Sequence, residues 1–178
     1  MKKDLIRLTA TAVGIALFTV LALALQVPVF QNYYLCLGYF AMAVYLYSFG
    51  AVSGTIVGVL GVVLYCVLTS GLRGMPGWAL GNIPIGVIMG LTFAKTKALK
   101  SRTAKYAIWV AAAVIASAVG ILGVKSLVNS LIKAQPFIVR AGMNIYAFIA
   151  DAAVLIISLP VCVLLDKPAQ KLLAKGRG

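Results

Sequence analysis

The chain of 178 residues is 63% hydrophobic with a mean hydropathy of +1.07, which excludes an ordinary soluble domain and indicates a single membrane-embedded domain. Its net charge of +13 would suggest nucleic acid as the partner of a soluble protein, but the basic residues lie mainly between and beyond the apolar blocks, so we expect no nucleic-acid partner. The chain has no histidine and three acids, Asp4, Asp151 and Asp166, which excludes Ser-His-Asp and Cys-His catalysis, histidine metal sites and paired-carboxylate hydrolysis, so we predict no catalytic residues, metal or cofactor.

The first predicted helix covers residues 5–25, and its apolar run from Leu8 to Leu25 follows the basic residues Lys2, Lys3 and Arg7. A secretory signal peptide also begins with basic residues, but this apolar run is longer than a signal core, so we predict a spanning helix that is retained. Ala12 and Ala16 lie four residues apart on it and form a face of small side chains, which is typical of close contact between membrane helices.

Five further apolar blocks follow, at residues 34–49, 52–68, 78–94, 106–124 and 144–165. Each is about long enough to cross roughly 30 Å of hydrocarbon, so we predict an all-α protein with six transmembrane helices. Helices two and three form a tight hairpin at Gly50. The outer connections are then residues 26–33, 69–77 and 125–143, the last with a short amphipathic stretch at 127–132.

The distribution of basic residues predicts the orientation of this bundle. Twelve of them lie on the side of the N-terminus, whereas four lie on the opposite side. Those four are Arg73, Lys125, Lys133 and Arg140. The positive-inside rule therefore places both termini in the cytoplasm. The run at residues 95–105 acts in this interpretation as a determinant of topology, and contact with anionic lipid headgroups is the alternative.

The third helix opens with FGAVSGTIVGVLG, residues 49–61, in which glycines stand at positions 50, 54, 58 and 61. Small residues four apart allow helix backbones to approach each other in lipid, where the hydrophobic effect does not drive helices together. These glycines form either a packing face within the chain or a contact with a separate membrane subunit. The three cysteines are scattered without CxxC spacing, and we expect small buried thiols.

Polar side chains gather at the predicted outer ends of the helices, where a solute site would place them, because polar groups at membrane depth are costly unless paired or lining a cavity. Trp78 and Asn82 share one face of helix four, where the indole could stack on a planar ring while the amide bonds its edge. Alternatively, Trp78 is an interfacial anchor. The predicted substrate-binding residues are Gln31, Asn32, Tyr34, Arg73, Trp78, Asn82, Arg140, Asn144 and Asp151.

Asp151 is the only acid inside a predicted span, and Asn144 lies seven residues before it on the same face of helix six. An unpaired carboxylate there would be costly or would take up a proton. Two hypotheses follow: Asp151 forms a structural ion pair with Arg140 or Arg73, or it binds a positively charged or hydroxylated substrate.

Six helices with both ends inside, a basic loop between helices four and five, the Ala12 and Ala16 face and the motif at Phe49 to Gly61 together resemble the substrate-binding S component of an energy-coupling factor (ECF) vitamin transporter. The resemblance implies a bundle like that of S components in a prokaryotic plasma membrane. It further implies that Ala12 and Ala16 dock on a transmembrane coupling subunit, that two cytosolic ATPases drive uptake, and that a water-soluble vitamin or related micronutrient binds near the outer surface. Many members carry an acid just after the last glycine, where this chain has Val62.

The leading hypothesis is therefore the substrate-specificity component of an ECF importer, embedded in membrane lipid. The chain has no GxxxxGK[ST] sequence, so ATP hydrolysis by that route would fall to partners. A self-contained small secondary transporter or channel is the alternative, although it would normally need ionisable groups along a pathway. The substrate stays open at this point: the aromatic residues suit a ring, Arg73 or Arg140 suits a carboxylate as in pantothenate, and a larger ligand such as cobalamin or a flavin stays open as well.

Overall fold

The computed structural model describes residues 2–24, 26–30, 33–69, 71–72 and 74–175. These residues form a bundle of helices with a short β-hairpin between the first two. The elements are α1 (Lys2–Ala24), β1 (Gln26–Phe30), β2 (Tyr33–Cys36), α2 (Gly38–Phe49), α3 (Ala51–Leu68), α4 (Met75–Thr96), α5 (Arg102–Ser117), a π-helical segment (Ala118–Lys125), α6 (Ser126–Lys133), α7 (Phe137–Met143) and α8 (Ile145–Lys175).

Five helices of the described chain are long and apolar enough to cross a membrane. They are Asp4–Ala24, Ala51–Leu68, Met75–Thr96, Arg102–Lys133 and Ile145–Lys171. The prediction of an all-α membrane protein is therefore confirmed in its main feature. The sixth predicted span corresponds to α2, whose 12 residues extend over only about 18 Å, so six crossings stays a prediction.

The β-hairpin explains why α2 is short. The sequence pattern predicted a helix from Tyr34, but Tyr33–Cys36 instead pair with Gln26–Phe30 as antiparallel strands, with Gln26 opposite Cys36 and a register shift between Pro28 and Phe30. Helix α2 consequently begins at Gly38, after the hairpin has ended.

The fifth predicted helix is longer than expected. It was predicted to end at Val124, before the cation Lys125, but it continues as one rod from Arg102 to Lys133 through the π-helical segment. Lys125 does not end the helix because its side chain is partly buried inside the bundle. The amphipathic stretch predicted at 127–132 lies on α6, where Ser126 and Asn129 are buried and Leu127 and Leu131 are exposed.

The glycines of α3 pack within the chain, which confirms the first of the two interpretations for three of them. Gly54, Gly58 and Gly61 face Leu46, Met42 and Phe18, respectively, so closely that an added Cβ atom would overlap these side chains. Helix α3 is thereby held against α1 and α2. Gly50 serves differently: its φ of +94° lets the chain reverse between α2 and α3, and no atom lies within 4 Å of the position that a Cβ would take.

The two ends of the bundle differ in chemistry. At one end, called here the hairpin end, lie the β-hairpin, the loop between α3 and α4, and the helices α6 and α7. At the other, the basic end, lie the Gly50 turn, residues 95–105 and the last turns of α8. The three cysteines are free thiols and buried, as predicted.

Candidate functional site

A chain of hydrogen bonds at the hairpin end joins α2, α3 and α4 through the hydroxyl of Tyr39. The indole Nε1 of Trp78 donates to the Tyr39 oxygen at 2.9 Å, and the Tyr39 hydroxyl donates to Asn82 Oδ1 at 2.8 Å. Asn82 Nδ2 in turn donates to the carbonyl oxygen of Gly58 at 2.8 Å. The spacing of Trp78 and Asn82 predicted a shared helix face, and both side chains indeed bond the same hydroxyl. We call this set of four residues the Tyr39 network.

Small residues bring the neighbouring helix close to this network. Gly81 of α4 and Gly120 of the π-helical segment face each other's carbonyl oxygens so closely that neither position has room for a Cβ atom. Gly77, one turn earlier on α4, likewise lies against Asn129 of α6. This backbone contact places Lys125 beside the first turns of α4, with its Nζ atom 5.5 Å from the centroid of the Trp78 ring.

Two charged side chains complete the cluster. Asp151 of α8 is 4% exposed, its carboxyl lies next to the Tyr39 hydroxyl, and the charge of Lys125 acts on it. A buried carboxylate is costly without a compensating charge, and Lys125 is a described cation whose charge acts on Asp151. Of the two predicted partners of Asp151, Arg140 has its guanidinium 3.8 Å from Met143 Sδ and Arg73 lies outside the described residues, so an ion pair with either stays a prediction.

Asn144 belongs to a second pair of hydrogen bonds near this cluster. Its Nδ2 atom donates to Ser126 Oγ at 2.9 Å, and the Ser126 hydroxyl donates to the carbonyl oxygen of Ile121 at 2.9 Å. Asn144 and Ser126 are both buried. These bonds hold the start of α8 against the π-helical segment and so help to position Asp151 relative to Lys125.

Four predicted site residues cannot be placed in the cluster in the same way. Gln31, Asn32 and Arg73 lie outside the described residues. Tyr34 lies on β2, where the structure describes the backbone of this residue but not its side chain. Their roles stay predictions.

The arrangement offers an aromatic face beside a cation and an acid. Trp78 and Lys125 are partly buried, and the Trp78 ring also meets Tyr65 edge to face at 5.6 Å. Asn82, by contrast, is wholly buried and already makes two internal bonds. Stacking of a planar ring on Trp78, with polar groups of that ring bonded by Lys125, is the chemistry that this geometry favours. Asn82 then positions Trp78 and Tyr39.

Two central residues were missed from the sequence. Tyr39 was read as part of an apolar helix, although a tyrosine near the end of a span commonly directs its hydroxyl to a polar partner. Lys125 was assigned to an outer loop, although the run AVGILGVKSLVNSLI around it has the length and apolar character of a continuing helix. A single cation inside such a run is itself a pointer to a functional position.

The predicted partner residues lie on a free surface of α1. Ala12 and Ala16 are exposed, and between and beside them Val13 and Leu17 are 57% and 44% exposed. Gly14 faces the opposite way and packs against Tyr45 and Val57. The small-residue face at Ala12 and Ala16 is therefore not used in packing within the described chain.

A family model of known proteins matches the chain. The family model of the ECF-type riboflavin transporter S component matches residues 2–167. No curated protein and no solved structure matches the chain.

Proposed function

Since the family model covers almost the whole sequence, the chain belongs to the ECF-type riboflavin transporter S component family, and we propose that its own substrate is riboflavin or a closely related flavin. S components are transport proteins rather than enzymes, and the five apolar helices make this chain a multi-pass membrane protein. The proposal concerns the identity of the vitamin, the binding residues and the coupling to ATP.

The observation that carries the proposal is the indole of Trp78 held between the Tyr39 hydroxyl and Lys125. The isoalloxazine of a flavin is planar and aromatic, and one of its edges carries carbonyl oxygens beside an N–H. A ring stacked on Trp78 meets the Lys125 ammonium as a donor to a carbonyl oxygen, and Asp151 as an acceptor for the N–H. The hydrophobic face and polar edge of the ligand thus match those of the site.

The remaining predicted residues surround this centre. Gln31, Asn32, Tyr34 and Arg73 belong to the two outer connections and close the site over the ligand in our proposal. Arg140 and Asn144 stand at its rim, where α7 leads into α8. Asn82 keeps Trp78 and Tyr39 in place.

The proposed topology places the hairpin end outside a prokaryotic plasma membrane and both termini in the cytoplasm, with α2 as the sixth crossing. The exposed face at Ala12 and Ala16 docks on a transmembrane coupling subunit, and two cytosolic ATPases supply the energy. The twelve basic residues on the inner side support this orientation.

Titration of the full-length chain in mild detergent with riboflavin, followed by quenching of flavin fluorescence, tests the substrate. We expect Trp78→Ala to weaken binding by about 10-fold to 100-fold, the scale of ring stacking on an aromatic side chain. Trp78→Phe keeps a ring face but loses the Nε1 donor, so its loss is smaller. Lys125→Met also weakens binding, whereas Lys133→Met, which removes an exposed cation of the same rod, leaves binding unchanged.

Two results would contradict the proposal. The first is that riboflavin fails to bind the wild-type chain while pantothenate or cobalamin binds. The second is that riboflavin affinity survives both Trp78→Ala and Lys125→Met in variants that keep the wild-type helix content. For the coupling to ATP, co-purification with two ATP-binding proteins is expected, and riboflavin uptake by the chain alone in vesicles would argue for a self-contained transporter.

A further inference from the structure

The basic end contains a cavity that the vitamin site does not use. It measures about 270 Å³ and lies where the ends of α1, α2, α4 and α8 meet. Its polar lining comes from four side chains: Arg7 of α1, Ser48 of α2, Lys97 directly after α4, and Gln170 of α8. It is separated from Trp78 and Asp151 by the length of the bundle.

The cationic wall of this cavity is held in place by specific contacts. Lys97 Nζ lies 3.2 Å from Asp166 Oδ1 and 4.1 Å above the centroid of the Tyr47 ring. Lys105 Nζ donates to the Lys97 carbonyl oxygen at 3.1 Å. Asp166 offsets part of the charge of Lys97, and Arg7 from α1 adds a second cation to the lining.

The opposite wall offers polar groups of the backbone and of Ser48. Gln170 Nε2 donates to the carbonyl oxygen of Ser48 at 3.2 Å, which ties α8 to the end of α2. The Ser48 hydroxyl is buried and has no hydrogen-bond partner among the described residues. Buried hydroxyls are rarely left unsatisfied, so this position suits a ligand oxygen.

An apolar groove adjoins the cavity. It measures about 400 Å³ and runs between α1 and α2, where Thr9, Val13 and Tyr45 are among the residues that line it. Phe49 lines both the groove and the cavity. A cationic chamber at the membrane surface thus opens beside a hydrocarbon-lined channel that follows α1 into the membrane.

The geometry points to a binding site for one anionic phospholipid, with its phosphate beside Arg7 and Lys97 and an acyl chain along the groove. The acyl chain is in an apolar environment both in the bilayer and in the groove, so it contributes little selectivity. Selection depends on the headgroup, because each basic residue near the membrane surface attracts negative charge. Ala12 and Ala16 do not line the groove, but Val13, which lies between them, does, so the groove borders the proposed docking face.

Native mass spectrometry of the full-length chain, delipidated and then supplied with phosphatidylglycerol or phosphatidylcholine, tests the site. We expect one tightly retained phosphatidylglycerol per chain and weaker retention of phosphatidylcholine. Arg7→Gln lowers affinity for phosphatidylglycerol about five-fold, the effect of one cation at an anionic surface, whereas Arg102→Gln, an exposed cation at the same end, changes it less than two-fold.

A second pair of variants tests the groove without altering charge. Thr9→Phe fills the groove and lowers retention of phosphatidylglycerol, whereas Val20→Phe, on an exposed part of α1 outside the groove, does not. Equal losses in Arg7→Gln and Arg102→Gln would overturn the proposal, as would equal retention of the two lipids. If inorganic phosphate displaces phosphatidylglycerol and Thr9→Phe has no effect on lipid retention, the cavity binds a free anion instead. Circular dichroism of each variant confirms folding.

Discussion

Replacing Asn82 by leucine removes the amide at the centre of the Tyr39 network while keeping a side chain of the same branched shape. Asn82 is 0% exposed and makes two hydrogen bonds of 2.8 Å, one from Tyr39 and one to Gly58. Hydrogen bonds between membrane helices contribute about 0.6 kcal/mol on average and up to about 1.7 kcal/mol. We therefore expect Asn82→Leu to lower the free energy of unfolding by about 1 to 3 kcal/mol.

A double-mutant cycle with Tyr39→Phe separates the hydrogen bond from other effects. Tyr39→Phe removes the bond to Asn82 and the one from Trp78, so the single variant loses more than one contact. If the Tyr39 and Asn82 side chains interact directly, the double variant loses less than the sum of the two single variants, by about 0.6 to 1.7 kcal/mol. Unfolding by sodium dodecyl sulfate, followed by circular dichroism, measures each corner of the cycle.

The control for this cycle is Gln135→Leu, which exchanges an exposed amide at the same end of the bundle for leucine. Exposed substitutions usually change stability by less than about 0.5 kcal/mol, and we expect the same here. Losses of Asn82→Leu and Tyr39→Phe that add to within about 0.3 kcal/mol would refute the direct bond, because independent sites add to that accuracy.

Three further predictions can be tested by the same unfolding assay or by labelling of cysteine. Gly54→Ala forces a Cβ atom into Leu46, and we expect it to lower the free energy of unfolding by about 1 to 3 kcal/mol. Gly142→Ala is the control, because the space around Gly142 is open and stability should not change. Equal stability of the two variants would contradict the packing described for α3. The three buried cysteines should resist a water-soluble maleimide in the folded chain and react fully in denaturant, and rapid labelling in the folded state would argue against their burial. Asp166→Asn breaks the 3.2 Å ion pair with Lys97, in which the Lys97 and Asp166 side chains are 33% and 26% exposed. We therefore expect the free energy of unfolding to fall by at most about 1 kcal/mol, and by less at high salt. A larger fall that salt leaves unaltered would show that Asp166 has a different role.

The sequence predicts the helices well because membrane insertion depends on local length and hydropathy. It also predicts that Trp78 and Asn82 share a face, since their spacing alone fixes that relation within one helix. It does not predict that both meet Tyr39, because the rotation and depth of α2 relative to α4 depend on contacts between helices. Gly54 and Gly58 of α3 make part of those contacts, with Leu46 and Met42 of α2, but the spacing of the glycines does not reveal which helix they face.

The misassigned elements have physical explanations as well. The hairpin at Gln26–Cys36 escaped prediction because its strands have 5 and 4 residues, too short for a periodic pattern beside long apolar helices. Lys125 was read as the end of a helix because a cation in lipid is costly. In the folded chain that cost is offset by Asp151 and the Trp78 ring, both supplied by other helices.

In a π-helix each carbonyl bonds the fifth residue along rather than the fourth, so a run of eight such residues, from Ala118 to Lys125, contains more residues per turn than an α-helix of the same rise. Deleting one residue there would let the rod rewind as a regular α-helix, and the tighter winding would offset much of the turn of about 100° that a deletion causes within an α-helix. A single missing codon would thus remove the widened turns and leave the ammonium directed much as before, whereas the same deletion in the α-helical residues 102–117 would turn it by about 100°.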